Sequence, residues 1–179
     1  MEKKVKFNCI QSLKEAGAPV IIVTLPEEAE AIANACRDNG IVVTAFSDNE
    51  TRKLQKNYCG LEVIHTPTLP KHFPKARLII AYHHMDDCVD QLSALGYDEF
   101  YSPLELLKNY DLSKHKHRIS QSYMQNKISI CIKSHELYFD EAKTYMRSLD
   151  VMITAKCSMK CESCANLMQY YVAAKNTDH

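Results

Sequence analysis

Three cysteines, Cys157, Cys161 and Cys164, share the run Cys157-Ser158-Met159-Lys160-Cys161-Glu162-Ser163-Cys164, a CxxxCxxC spacing. Thiolates so placed can hold one small inorganic core. Soft sulfur ligands select iron–sulfur clusters, zinc or Cu(I) over hard cations, and a cubane held by three cysteines leaves one iron open to a further ligand. Two other readings stand beside this one. On a helix the three positions fall on one face and would form a stripe of small buried hydrophobes. A tetrahedral zinc site would need a fourth ligand, from His179 or a residue distant in sequence. Three of the chain's eight cysteines in so short a stretch are hard to explain by packing alone.

The run is entered from apolar residues (Leu149, Val151, Met152, Ile153) through Thr154. The stretch DVMITAKCSMKCESCANLMQYY resembles the opening strand, cluster loop and first helix of the radical SAM enzymes. That resemblance implies a [4Fe-4S] cluster on Cys157, Cys161 and Cys164 whose open iron takes S-adenosylmethionine (SAM). It also implies a reductant such as flavodoxin or ferredoxin, and reductive cleavage to methionine and a 5'-deoxyadenosyl radical acting on a small-molecule substrate. Ser163 stands where that family usually carries an aromatic residue beside the adenine, so its main-chain atoms are the expected SAM contact. Tyr170 and Tyr171 are expected to pack the following helix. Fifteen residues follow Cys164, whereas a complete eightfold βα barrel takes roughly 250 residues. The chain therefore reads as the front portion of a longer enzyme, incompetent alone.

Upstream, the elements alternate between strand and helix. Val20 to Leu25 is a β-branched run expected as a strand buried on both faces. Pro26, Glu27 and Glu28 open a helix whose apolar side is Ala29, Ile32, Ala33 and Cys36 and which Gly40 closes. Ile41 to Phe46 is a second strand. The cycle repeats with Leu78 to Tyr82, a helix from Met85 to Leu95 stopped by Gly96, then Glu99 to Tyr101. Between the cycles, Asp48 to Asn57 reads as a short helix, Glu62 to His65 as a strand and Pro67 to Pro74 as a connection. Strand, helix and strand in succession give parallel strands with right-handed crossovers. The expected fold class is α/β: a small doubly wound Rossmann-like parallel sheet over residues 1–110, a mostly helical connector over 111–148, and the start of an incomplete radical SAM βα barrel over 149–179. The first part is similar to the Rossmann-like N-terminal domains of sugar-modifying and polysaccharide-biosynthesis enzymes, including the phrase SDNETRKLQKNYCGLEVIHTPTLPKHFPKARLIIAYH, which implies a saccharide-related substrate.

A dinucleotide site would need closely spaced glycines after the first strand, so that a pyrophosphate can approach the backbone at a helix N-terminus. That place holds Thr24, Leu25, Pro26, Glu27 and Glu28, and the four glycines lie at 17, 40, 60 and 96. NAD is not expected. Asp48 ends the second strand where a ribose-binding acid can lie, but reads as a helix cap. His83, His84, Asp86 and Asp87, at the end of a strand, read either as a metal or acid–base site or as turn residues with acids complementing a helix dipole. Lys114, His115, Lys116, His117 and Arg118 read as a solvated helix face. Ile119, Tyr123, Met124, Ile128, Cys131 and Ile132 recur at near-helical spacing, with a strand over Ile128 to Ile132 as the alternative.

Lysine plus arginine and aspartate plus glutamate both number 22. A chain without net field argues against a nucleic-acid or anionic-membrane partner. The opening MEKKVKFNCI has basic residues with no long apolar run behind them. The apolar runs elsewhere are of strand length, far short of the ~20 residues that span a bilayer. A cytoplasmic protein is expected, and five scattered cysteines with three at metal spacing favour a reducing compartment. Two further readings remain open: a non-enzymatic Rossmann-like sensor or interaction module with an iron–sulfur or zinc knuckle, and a small-molecule-binding α/β domain whose cysteine run is incidental.

Overall fold

The computed structural model describes residues 5–15, 17–50 and 57–140, which all belong to the first of two units, Met1–Tyr145 and Met146–His179. The described residues build one parallel sheet of six strands: β1 (Val5–Lys6), β2 (Val20–Val23), β3 (Val43–Asp48), β4 (Val63–His65), β5 (Arg77–Ile80) and β6 (Phe100–Tyr101). They lie in the order β4-β3-β2-β5-β6-β1. Five of them reproduce the doubly wound order 3-2-1-4-5, and the N-terminal β1 fills the sixth place at the edge. The order in which strands are added across the sheet reverses between parallel β2 and β5, the two strands that share the longest uninterrupted register, Val20↔Arg77 to Val23↔Ile80.

All four residues of β2 are buried. Val20 and Ile22 face one core with Phe46, Ile79 and Tyr101, while Ile21 and Val23 face the other with Ala45, Leu78, Ile80 and Phe100. This two-residue alternation, apolar on both sides, is what a central parallel strand requires. The first face is covered by α2 (Ala29–Asp38), α5 (Leu104–Lys108) and α6 (Gln121–Phe139), the second by α3 (Leu69–His72) and α4 (Met85–Ala94). Gly40 and Gly96 follow α2 and α4 with φ of 72° and 94°, the left-handed turn that ends each helix at no steric cost.

Several elements differ from what the sequence suggests. Helix α6 is an integral layer: Met124, Ile128, Cys131 and His135 are all buried, at helical spacing, against the same core as α2 and α5. The helical reading of Ile128 to Ile132 is the one observed. The Pro67 to Pro74 stretch is a short 3₁₀ turn (Thr66–Thr68) running into α3, with proline in the first turn of each, where no amide is missed. Strand β3 runs on to Asp48, and 51–56, the body of the helix expected over 48–57, lie outside the described residues. Helix α1 (Ile10–Lys14) and β1 carry too few residues to show a period and are not legible beforehand.

The loop between α1 and β2 is tied down by one side chain. Arg77, buried on β5, donates from Nη1 to the Ser12 carbonyl (2.6 Å), from Nη2 to those of Glu15 (2.9 Å) and Ala18 (2.7 Å), and from Nε to Ala18 again (3.0 Å). The last carbonyls of a helix have no partner within it, and a guanidinium supplies several donors in one rigid fork. No helix among the described residues is long and apolar enough to cross a membrane.

Candidate functional site

At the carboxyl ends of β2, β3 and β5 lies a cavity of about 560 Å³. This is where open α/β sheets place their ligand crevice, at the strand pair where the winding reverses. One wall is the turn leaving β2. Thr24 takes a φ of 68°, its amide held by the Ser47 carbonyl at 2.7 Å. A left-handed β-branched residue is strained by roughly 1–2 kcal/mol. The Thr24 Oγ1 is buried with no hydrogen-bond partner. Leu25 and Pro26 complete that wall. The floor is the end of β3, where buried Asp48 accepts from the Leu25 amide through Oδ2 (2.8 Å) and from the Glu50 amide through Oδ1 (2.7 Å). The opposite wall is Tyr82 and the first turns of α4, with Asp87, Cys88 and Gln91. Asn49 and Gln91 close the mouth with reciprocal amide bonds of 3.0 and 3.1 Å.

In a dinucleotide fold the pyrophosphate sits on free amides at the start of the first crossover helix. Here the Leu25 amide is already taken by a carboxylate and Pro26 has no amide to give. The expectation against NAD rested on the missing glycines, on Pro26 and on the carboxylates of Glu27 and Glu28; in the loop leading to α2 the Asp48 carboxylate holds the Leu25 amide. Asp48 is thus a turn clamp between two strand ends, a role that keeps the side-chain-to-amide bonding of a cap but reaches across 23 residues.

Two further groups at this end of the sheet bear on chemistry. Burial pushes the Cys88 thiol up to about 12, so it is no ready nucleophile. His135, wholly buried on α6, meets the Ser102 Oγ through Nδ1 at 3.1 Å. The Ser102 Oγ also accepts from the Leu104 amide at 3.3 Å, so the hydroxyl ties the imidazole to the turn after β6. Nε2 has no well-formed hydrogen bond, although the Tyr82 main chain lies close. Burial pulls the His135 pKa down to about 4, with a smaller push in the same direction from His83. His135 was hidden in the sequence because it occupies an ordinary core position of an amphipathic helix.

No protein-family model matches the chain, and no curated protein does. A solved structure described as "Crystal structure of RSP, a Rex-family repressor" is similar at 15% identity and a TM-score of 0.36, over 70% of this chain and 64% of that one. The match spans less than two thirds of that protein's chain and is too loose to carry an argument about function.

The radical SAM assignment is corrected by these findings: no such family matches, and the described residues hold no group of three His, Cys, Asp or Glu side chains able to hold a metal. The expected SAM, flavodoxin and ferredoxin partners fall with it. The exclusion of nucleic acid rested on the charge balance of the whole chain, which says nothing of any one surface, and it is withdrawn. Cys157, Cys161, Cys164 and Ser163, with Tyr170, Tyr171, His179 and the expected barrel start, lie outside the described residues. His83 and His84 are brought together with Tyr82, ring centroids 4.3 to 5.5 Å apart, and Asp86 and Asp87 sit in the first turn of α4. The four do not converge on a metal position. The basic run 114–118 is no helix face. A 3₁₀ turn ends at Lys114 and the chain continues irregularly beside α2, where Arg118 also pairs with Glu30. There His115 Nε2 meets Asp38 Oδ2 at 2.9 Å, His117 Nε2 meets the Tyr110 hydroxyl at 3.2 Å, and the Arg118 guanidinium lies 4.0 Å over the Tyr58 ring.

Proposed function

We propose that the chain is a Rossmann-like sensor or interaction module: a parallel α/β domain with a small-molecule crevice at its switch point, joined to a soft-metal site on Cys157, Cys161 and Cys164. The observation that carries this reading is the crevice itself, a cavity of about 560 Å³ inside the ~300–1,000 Å³ range of small-molecule sites, at the place the fold reserves for ligands. Binding without turnover is supported by the groups around it. The Cys88 thiol is held protonated, and the Ser102–His135 pair is sealed in the core as a neutral contact. The metal site is supported by ligand chemistry. Three thiolates suit a [4Fe-4S] cluster with one open iron, or zinc completed by a fourth ligand.

The metal half predicts that the full chain, purified anaerobically and reconstituted with iron and sulfide, gives either a cubane signal by EPR after reduction or stoichiometric zinc by elemental analysis. Replacing Cys157, Cys161 and Cys164 together by serine is expected to abolish whichever is found. Metal content unchanged in the triple variant would sink this half of the proposal. For the crevice half, amide shifts of Thr24, Asp48 and Gln91 are followed by NMR while a small-molecule panel is added. A panel that moves none of them would remove the crevice reading.

A further inference from the structure

We propose that the switch-point crevice takes an uncharged nucleoside, its base edge received by the Asn49 and Gln91 amides and its sugar hydroxyls by Asp87, and that it refuses pyrophosphate-bearing ligands. This rests on the reading of the crevice as the small-molecule site. The refusal follows from the start of the β2–α2 crossover, where Asp48 occupies the Leu25 amide and Pro26 offers none. A pyrophosphate would have to displace a buried carboxylate from its hydrogen bond, and it would meet the same charge sign there.

What the crevice offers instead is a planar hydrogen-bonding edge. Asn49 and Gln91 lie at its rim and satisfy each other through two parallel N–H···O bonds. An amide side chain presents a donor and an acceptor side by side, the pattern that reads the N6/N7 edge of adenine. When such a base enters, the amides exchange their mutual bonds for equivalent bonds to the ligand, so no polar group is stranded. Gln91 and Asp87 are four residues apart on α4 and both line the cavity. Residues at that spacing lie on one helix face with their Cβ atoms about 5–6 Å apart. A ligand whose heterocycle reaches Gln91 therefore brings its ribose hydroxyls toward the Asp87 carboxylate, which can only accept. Pro26 and Tyr82, on opposite walls, supply apolar faces for the two sides of the base.

The test is an NMR titration of the full-length chain with adenosine, NAD and inorganic pyrophosphate, in wild type and in Gln91→Leu. Adenosine is expected to shift the Thr24, Asn49 and Asp87 amides saturably, with NAD and pyrophosphate weaker by at least tenfold. Gln91→Leu is expected to weaken adenosine by roughly tenfold or more, one bidentate base contact being lost, with the circular dichroism spectrum unchanged. The inference is overturned if adenosine leaves these amides in place, if NAD binds as tightly, or if Gln91→Leu binds adenosine unchanged. If adenosine fails while another small molecule moves the same amides, the nucleoside assignment alone falls. If nothing moves them, the crevice reading falls as well.

Discussion

Arg77→Ala is expected to lower the unfolding free energy by about 2–4 kcal/mol, the size of effect expected when a buried side chain holding several main-chain acceptors is lost. The guanidinium donates to carbonyls of Ser12, Glu15 and Ala18, and the truncated side chain would leave them without it. A stranded acceptor that stays dry costs on the order of 1–3 kcal/mol, and water reaches exposed Glu15 more readily than half-buried Ser12 and Ala18, which offsets part of the loss. For a chain of this size the melting temperature should fall by on the order of 10 °C. Arg77→Lys keeps the charge and is expected to recover less than half of the loss, because an ammonium on a flexible stem cannot address three carbonyls in one plane. Urea unfolding followed by circular dichroism measures both. An Arg77→Ala chain within about 1 kcal/mol of wild type would mean the loop is held by something other than this clamp. A local readout separates clamp from general packing: the amides of Ala18 and Val20 should lose hydrogen-exchange protection in Arg77→Lys before those of α4 do.

Arg77 also illustrates what a sequence can and cannot declare. The run from Leu78 to Tyr82 reads as a strand because Leu78, Ile79 and Ile80 are apolar and two of them β-branched; the observed strand is Arg77–Ile80, one residue earlier at its start. That its first residue is a buried cation could not be read, since its partners are main-chain carbonyls 59 to 65 residues earlier, with no side-chain signature. The same division holds elsewhere. The alternation of strand and helix gave the layers, and the glycines at 40 and 96 gave the helix ends, because both signals are local. The order of the strands was legible only as far as the crossover rule goes. The entry of β1 at the far edge, paired with β6 almost a hundred residues away, is a long-range event with a two-residue signal. The crevice was half legible. Pro26, Glu27 and Glu28 announce that no phosphate loop is present, but the Asp48 bond to Leu25 and the Asn49–Gln91 bridge depend on the sheet bringing β3 and α4 together. The basic run 114–118 was legible in part: Lys114, Lys116 and Arg118 are exposed as a solvated run requires, while no α-helix forms there and its histidines are committed to Asp38 and Tyr110.

Acid is expected to weaken the fold through His135, by about 3 kcal/mol between pH 6.5 and pH 4. Above pH 6.5 the imidazole is neutral in the folded and the unfolded chain alike and adds no pH dependence. As pH falls through 6.5 the unfolded chain takes up a proton that the folded chain refuses until about pH 4, because burial disfavours the charged ring. The unfolded state then binds more protons, so stability declines with falling pH across that window and levels off below it. A difference of about 2.5 pKa units at 1.36 kcal/mol each sets the size. His135→Gln keeps a hydrogen-bonding partner for the Ser102 hydroxyl and cannot be charged, so it should unfold with a shallower acid limb. Carboxylates titrate in the same range, and the wild-type curve minus the His135→Gln curve isolates the imidazole. A flat difference between pH 6.5 and 4 would show that the ring is solvated or already charged in the folded chain, which contradicts its sealed position between α6 and the turn after β6. A difference of the expected sign identifies His135 as the contact through which protons reach the helix layer, because the only way to charge it is to part α6 from Ser102 or to let water in beside it.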